Sequence, residues 1–591
     1  MSAIDWSIVA ALCAISMAVG LFYARRSASA GAVGYFTASR SLPWWAIGFS
    51  NTATYQSGNG AFVMIVLTFG LVGNWIWWSS WVIWMPLVAI IWARLWRRMQ
   101  IVTTAELITL RYGGRPAVWA RRAYATIMGF GIAILMIGYI TGFFAKTIAP
   151  LVPLSEIQIL LIFGGITVIY TMFGGLVGVV YVDVVQFLIL MVGNVIFLFL
   201  AIGQFGGWEA ILHRIAEVRP EAIEPLPPTR SVDILTVSVL AAQGLLFAGS
   251  PTAGEGYTAQ RFMAARNEAH ALGGQLLNAA LALCIRLLPL IGIGLIALSL
   301  FWTENLGPTP AGMTVVQDPA HAWGELVKRV SLPIGFVGLL VAAEVAAYMS
   351  TLSTLMNWGG SFVVNDLVPQ RWLHSGKNRR REVWVSRLTT LALFIGAGAV
   401  AILYVKQMTS WFLFINGAMV SFILPLAAYR FFWWRFNVWG EIAAIVLGLP
   451  LSILVWFVLD FQSRPVWQGT GLLFISGFVV LTLVALLTPA ERPETLDRFY
   501  QRCRPPGFWR PVQRRLGLVS ATEMSATRLV PQSLYGIGAC LGLVIFTNAV
   551  FVAAWAQAAT GVAMSTAAVA LLIRSVWSEP PQDIQVGSQE R

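Results

Sequence analysis

Apolar runs of helix length recur along nearly the whole chain, separated by short polar connections. About twenty apolar residues carry a helix across a bilayer, so each run predicts a membrane span. About fifteen are predicted, near 4–24, 44–70, 74–96, 123–150, 155–173, 180–205, 236–258, 271–302, 331–360, 384–405, 410–433, 438–460, 468–488, 531–554 and 557–577. Three of them are not uniformly apolar. In the second, Ser50-Asn51-Thr52-Ala53-Thr54-Tyr55-Gln56-Ser57-Gly58-Asn59-Gly60 interrupts the run with small and polar residues. In the seventh, Gly249, Pro251, Gly254 and Gly256 fall within eight residues, and no helix runs straight through that. Counted from residue 44, these two breaks are the first and sixth of ten spans, the pattern of an inverted five-plus-five repeat with a binding site near the midplane.

The third irregular run is Val341 to Asp366, which carries Glu344, Ser350, Thr351, Ser353, Thr354 and Asn357. In hydrocarbon each of these must find a partner within the protein. Two readings stay open: the hydroxyls bond back to their own helix or to a neighbour, or Ser350 and Thr351, one turn past the carbonyl of Ala347, offer hard oxygens to a small alkali cation.

Composition fixes the broad class. Of the 591 residues, 58% are hydrophobic and 11% charged, and no soluble fold hides that much apolar surface, so a polytopic membrane protein is expected. The net charge of +13 does not point to nucleic acid. Arg25, Arg26 and Arg40, Arg94 to Arg98, Arg111 to Arg122, Arg261 and Arg266, Arg371 to Arg387, and Arg498 to Arg515 fall in alternate loops, which the positive-inside rule makes cytoplasmic. The N-terminus is then outside and the C-terminus inside a plasma (inner) membrane. With no basic region ahead of it and no small-residue cleavage site, the first span reads as a retained helix. The tryptophans of the third span divide between an outer aromatic belt, Trp75 and Trp77, and a deeper group around Trp78, Ser79 and Trp81.

Cys13, Cys284, Cys503 and Cys540 show no paired spacing, and His213, His270, His321 and His374 no metal-ligand spacing, so neither a disulfide framework nor a bound metal cofactor is expected. The acid Glu255 lies beside the second break, with a solute-facing role and a structural bond to a helix N-terminus both open. Arg286 lies well inside a span and needs a partner, Glu255 or Glu344, either as an ion pair holding the bundle or as a reader of an anionic solute.

Several stretches share the wording of one family. These are Tyr35-Phe36 followed by Ser39-Arg40-Ser41-Leu42, the helix start Thr104-Ala105-Glu106-Leu107 leading to Arg111-Tyr112-Gly113, and Tyr170-x-x-x-Gly174-Gly175 leading to Asp183-Val184-Val185-Gln186. Gln260-Arg261-Phe262 with Ala264-Ala265, and Ala346-Ala347-Tyr348-Met349-Ser350-Thr351, complete the set. Over roughly residues 30 to 435 the chain resembles the sodium:solute symporter family, which includes the sodium/glucose and sodium/proline symporters. The resemblance implies an all-α polytopic membrane protein with a LeuT-like five-plus-five inverted repeat and additional N- and C-terminal helices. The units are then an extra N-terminal helix (1–30), first repeat (31–205), second repeat (206–435), two added helices (436–488), a basic cytoplasmic loop (489–530), and two last helices with a short tail (531–591).

The resemblance also implies a site. Sodium, the coupling ion, is held by the carbonyls of Ala53 and Gln56 with Ala347, Ser350 and Thr351. Ser57, Gly58, Gly60, Ser79, Glu255 and Asn416 border the solute, and Asp183 lies on the ion's exit path, where a plain interfacial charge is the other reading. The chain departs from the family where some relatives carry an acid, here Tyr55, and where the sugar carriers place a glutamine, here Gly60. The 104–113 segment reads as a surface helix capped by Thr104 and stopped by Gly113.

The function expected is sodium-coupled symport of a small polar solute, sugar-, amino-acid- or carboxylate-like, by alternating access, with no cofactor. Its partners are the solute, Na⁺ and membrane lipids, with no nucleic acid and the oligomeric state, a monomer included, left open. A proton-coupled carrier using Glu255 or Glu344 is the alternative. An enzyme is disfavoured because no nucleophile and base pair or metal spacing appears, a sensor because no signalling domain follows, and a simple channel because of the two breaks.

Overall fold

The computed structural model describes residues 1–29, 31–55, 59–226, 231–247, 256–304, 319–369, 379–403, 413–414, 419–518 and 524–577. Of the predicted site residues, Gln56, Ser57, Gly58, Glu255 and Asn416 lie outside them.

Helix α1 (Ala3–Phe22) opens with a capping box between Ser2 and Asp5. The first break follows, between α2 (Trp44–Ala53) and α3 (Asn59–Phe69), with Thr54 and Tyr55 in a turn after α2. Then come α4 (Val72–Leu87), continued through a π turn to Met99, the short α5 (Glu106–Arg111), α6 (Gly114–Ile148) and α7 (Gly165–Gln204). Next come α8 (Ser231–Gly244) and α9 (Gly256–Met263), so the predicted 236–258 span too is no single helix. The chain goes on with α10 (Glu268–Trp302), α11 (Phe336–Phe362), α12 (Arg379–Leu403) and α13 (Leu424–Phe432). Beyond the repeats lie α14 (Val438–Ile453), α15 (Val466–Leu487), α16 (Pro493–Cys503), α17 (Arg510–Leu516), α18 (Ala526–Phe551) and α19 (Trp555–Trp577).

Among the described residues, eleven helices are long and apolar enough to span a membrane and three shorter apolar ones accompany them. One of the eleven holds two spans. Gly175, at φ 57° and ψ −164°, turns the chain inside α7. This resolves the predicted 155–173 and 180–205 runs into one kinked element. A Cβ at Gly175 would lie 2.2 Å from Ser27 Oγ and 3.0 Å from Tyr35 Cδ2, in a backbone region almost confined to glycine. Gly175→Ala is therefore expected to cost about 3 kcal/mol or more, seen as a lower thermal unfolding temperature of the detergent-solubilised protein.

The two broken helices are tied together. Leu42 N donates to Ala264 O (3.1 Å) and Arg266 N to Leu42 O (3.1 Å), so the start of α2 and the end of α9 share a short parallel bridge, and Arg97 Nε reaches Ala265 O (2.7 Å).

Four expectations need correction. The 104–113 segment is no surface helix: Arg111 is fully buried, donating to the carbonyls of Arg430, Trp433, Trp434 and Phe436 and facing the rings of Tyr112, Phe499 and Trp509. Thr104 does not cap α5; Ala105 precedes it without a side-chain bond, while Glu106 accepts from Val102 N (2.9 Å). The 489–530 stretch is no plain loop. It supplies α16 and α17, which cover Arg111, and Glu491, which accepts from Gly113 N and Val438 N (both 3.0 Å). Trp75 is buried and donates to Pro225 O (2.8 Å), so it is a packing residue and not part of an aromatic belt. The four cysteines are free and buried, and burial pushes the Cys503 thiol up to about 12, which keeps it protonated and unreactive at neutral pH.

Candidate functional site

Ending a helix inside a span frees carbonyls at one end and N–H groups at the other, which only protein groups or a bound ion can satisfy there. At the end of α2, Thr54 N reaches Ser50 O and Asn51 O (both 3.2 Å), and Tyr55 N reaches Thr52 O (3.4 Å) as the helix closes in a turn. A small cavity opens against that end. Ala53 of α2, Gln186 of α7, Arg286 of α10, and Ala347 and Ser350 of α11 are among its walls, and it has room for about one water-sized body. The structure thus brings three of the predicted sodium ligands, Ala53, Ala347 and Ser350, to one space.

The hydroxyls of α11 divide by task. Thr351 Oγ1 donates to its own helix at Ala347 O (3.0 Å) and also lies 3.4 Å from Thr54 O, so it stands between α11 and the broken end. Ser353 bonds back to Ser350 O (3.0 Å), the plain helical pattern. Ser350 Oγ makes no such bond. It is buried, faces the Asp183 carboxylate without reaching hydrogen-bond geometry, and borders the cavity. An unpartnered buried hydroxyl is costly, and a cation in the cavity would satisfy it.

Asp183 is fully buried in α7 and is no interfacial charge. Its Oδ2 accepts from Ser50 Oγ and from Arg261 Nη2 (3.0 Å). Arg261, counted above among loop cations, is itself buried in α9. It also donates from Nε to Ser50 Oγ (2.6 Å) and from Nη2 to Thr54 Oγ1 (3.0 Å) and Thr354 Oγ1 (2.6 Å). One guanidinium thus ties α2, α7, α9 and α11 together one turn from the cavity. Gln260 beside it donates to Asn357 Oδ1 (2.9 Å) and Phe36 O (3.2 Å). The sequence reading missed this lock, although the Gln260-Arg261 pair inside a shared signature was a pointer.

The remaining predicted residues fall as follows. Ser79 is buried in α4, beside an aromatic cluster in which Tyr55 meets Trp81 edge-on (4.8 Å) and Trp81 meets Trp78 (4.6 Å). Tyr55, where some relatives carry an acid, accepts at its hydroxyl from Asn278 Nδ2 (2.6 Å). Gly60 packs against α6: a Cβ there would lie 2.3 Å from Thr147 Oγ1, so close helix approach accounts for this glycine. Glu344 accepts from Asn59 N (2.8 Å) at the start of α3, and Arg286 Nη1 donates to Thr52 O (2.8 Å). No group of three metal-ligating side chains of the His, Cys, Asp and Glu kind occurs among the described residues.

Comparison with known proteins gives the family and the fold. The model of the sodium:solute symporter family matches residues 35–448, more than half of the chain. The sodium/pantothenate symporter of Haemophilus influenzae is 26% identical over 383 residues, covering 63% of this chain and 73% of that protein. The sodium/myo-inositol cotransporter 2 of Rattus norvegicus is 29% identical over 395 residues (61% and 56%), and the sodium/mannose cotransporter of Bos taurus 26% over 400 residues (60% and 63%). The chain therefore spans somewhat over half the length of these last two. The solved structure of a Na⁺-coupled sialic acid symporter, substrate-bound and outward-open, superposes with a TM-score of 0.67 at 21% identity, covering 83% of this chain and 99% of that one. It shows the same LeuT-like inverted-repeat fold. With two broken helices, a hydroxyl-bearing α11 against them, and a family match running through both repeats, this chain belongs to the sodium:solute symporter family.

Proposed function

We propose that the chain is a secondary transporter that couples inward sodium flow to uptake of a small polar solute, in a plasma (inner) membrane with its N-terminus outside and its C-terminus in the cytoplasm. The observation that carries this is the cavity between Ala53, Ala347 and Ser350, at the broken end of α2, with the Ser350 hydroxyl buried and unsatisfied beside it. Sodium is the coupling ion of the family. Here its oxygens are the carbonyls of Ala53, Gln56 and Ala347 with the hydroxyls of Ser350 and Thr351. Ion and hydroxyls together fasten α2 to α11, so sodium favours the state in which they touch, and that differential affinity is what drives coupling.

Asp183 and Arg261 then act as the latch on the cytoplasmic passage. Releasing sodium inward past Asp183 requires the ion pair and the Thr354 and Thr54 contacts of Arg261 to part, which separates α9 from α2 and α11. A membrane potential of 100 mV supplies about 2.3 kcal/mol per sodium and a tenfold gradient about 1.4 kcal/mol more, together enough to concentrate a solute several hundredfold.

The solute is a small polar organic molecule of the kind named for the relatives, a carboxylate such as pantothenate or a polyol or sugar such as inositol and mannose. Ser57, Gly58, Gly60, Ser79, Glu255 and Asn416 are its proposed border. A panel of such solutes, tested for binding to purified protein with sodium and with potassium, checks the reading: at least one should bind in sodium and weaken in potassium. Equal binding in both ions contradicts it.

A further inference from the structure

Two intramembrane charges are placed on the first break with opposite sense. Arg286 of α10 donates from Nη1 to Thr52 O (2.8 Å), in the last turn of α2, and its guanidinium lies 4.8 Å from the centre of the Phe62 ring of α3. Glu344 of α11 accepts at Oε1 from Asn59 N (2.8 Å), the first residue of α3. Both side chains are buried, Arg286 at 2% exposure and Glu344 at 0%. The carbonyl end of a helix carries partial negative charge and its N–H end partial positive charge, so each charge sits on the half-helix end that complements it. The same Asn59 accepts at Oδ1 from Asn194 Nδ2 of α7 (2.6 Å), fixing the start of α3 to a second helix.

The α2 end borders the proposed sodium cavity, and the α3 start faces it across the break. Ala53, whose carbonyl is a proposed ligand, directly follows Thr52, and Arg286 itself is part of the cavity wall. We propose that Arg286 and Glu344 are positioning residues for sodium: they hold the two half-helix ends apart and aligned, so that the freed carbonyls of the break point at the ion, and neither touches the ion itself. The inference rests on the proposed sodium site and adds to it the groups that set its shape.

The two signs of the Arg286 effect separate positioning from simple electrostatics. A guanidinium at the wall of a cation cavity repels the cation, so if charge alone mattered, Arg286→Met would tighten sodium binding. Positioning gives the reverse, because Thr52 O loses its guanidinium donor, keeping only the long backbone bond from Tyr55 N (3.4 Å), and the end of α2 loosens. Glu344→Gln tests the other end without a large change of fold: its amide oxygen still accepts from Asn59 N, whereas Glu344→Ala leaves that N–H bare in hydrocarbon.

The experiment titrates the full-length purified protein with sodium, reading tryptophan fluorescence and ²²Na⁺ binding, and records the unfolding temperature without sodium as the structural control. Glu344→Ala and Arg286→Met are each expected to raise the half-saturating sodium concentration by roughly tenfold, the size of a lost helix cap, while Glu344→Gln stays within about threefold of the parent. Tighter sodium binding in Arg286→Met, or a Glu344→Gln variant as impaired as Glu344→Ala, overturns the inference. If the parent protein itself shows no sodium response, it is the sodium-site reading that fails, which distinguishes the two.

Discussion

The Ser350→Ala, Thr351→Ala double variant is expected to lose sodium-stimulated solute binding altogether, with the half-saturating sodium concentration rising by at least a hundredfold. The size follows from the number of oxygens removed. Two of five proposed ligands disappear, and an interaction with a charged group is worth about 1.5–3 kcal/mol, so the two together account for three to six kcal/mol, more than a hundredfold. The two singles should differ. Thr351 also bridges Ala347 O and Thr54 O, and its loss loosens α11 from the broken end of α2. Ser350 bonds to no helix carbonyl and faces the cavity and the Asp183 carboxylate, so its loss acts chiefly on the ion and changes the unfolding temperature in sodium-free buffer less than the loss of Thr351. Sodium titrations of both singles, paired with unfolding curves in potassium, check that split. Intact sodium activation in the double variant contradicts the ligand assignment.

The second large effect concerns the latch. Removing one partner of a fully buried ion pair leaves the other charge bare, at a cost of about 3–5 kcal/mol. Arg261→Met strands the Asp183 carboxylate, with only Ser50 left to donate to it, and also frees Thr54 and Thr354. Asp183→Asn leaves Arg261 with uncharged partners alone, the hydroxyls of Ser50, Thr54 and Thr354 and the Tyr257 carbonyl. Each single is therefore expected to lower the unfolding temperature by several degrees and to let the cytoplasmic passage open without sodium, seen as faster labelling of a cysteine placed at Thr354. The double variant Arg261→Met, Asp183→Asn removes both charges and should be more stable than either single, with labelling still fast. A double variant worse than both singles would mean that the two side chains serve separate structures and form no latch.

The legible parts of this protein are those carried by short stretches of sequence. A membrane span is a local property, so apolar spans could be read without knowing how they pack. Helix breaks are also local, which is why the Ser50 to Gly60 stretch marked the first broken span; of the Gly249 to Gly256 stretch only Gly256 is among the described residues. For the ion site the sequence offered the family resemblance and the placement of polar residues along α11, and helical spacing cannot tell which hydroxyl bonds back. The structure assigns that: Ser353 does, Thr351 bridges, and Ser350 stands free.

What stayed hidden depends on long separations. Arg261 and Asp183 are 78 residues apart, and as a basic residue near a loop Arg261 looked like an orientation signal. Arg111 is buried by Phe499 and Trp509, almost four hundred residues on, so a segment that read as a charged loop proves to be packing for the α5 region. Glu344 and Arg286 were recognisable as intramembrane charges needing partners, but their partners are backbone atoms at the two ends of a break, which no side-chain pattern announces.

Coupling in this protein depends on an ion held between α2 and α11. High-resolution electron cryomicroscopy of the protein in lipid nanodiscs, once in sodium and once in potassium, tests it most directly. A density peak in the cavity between Ala53, Ala347 and Ser350 that is present in sodium and lost in potassium is the predicted result. The same empty cavity in both maps, with α2 and α11 equally close, would contradict it.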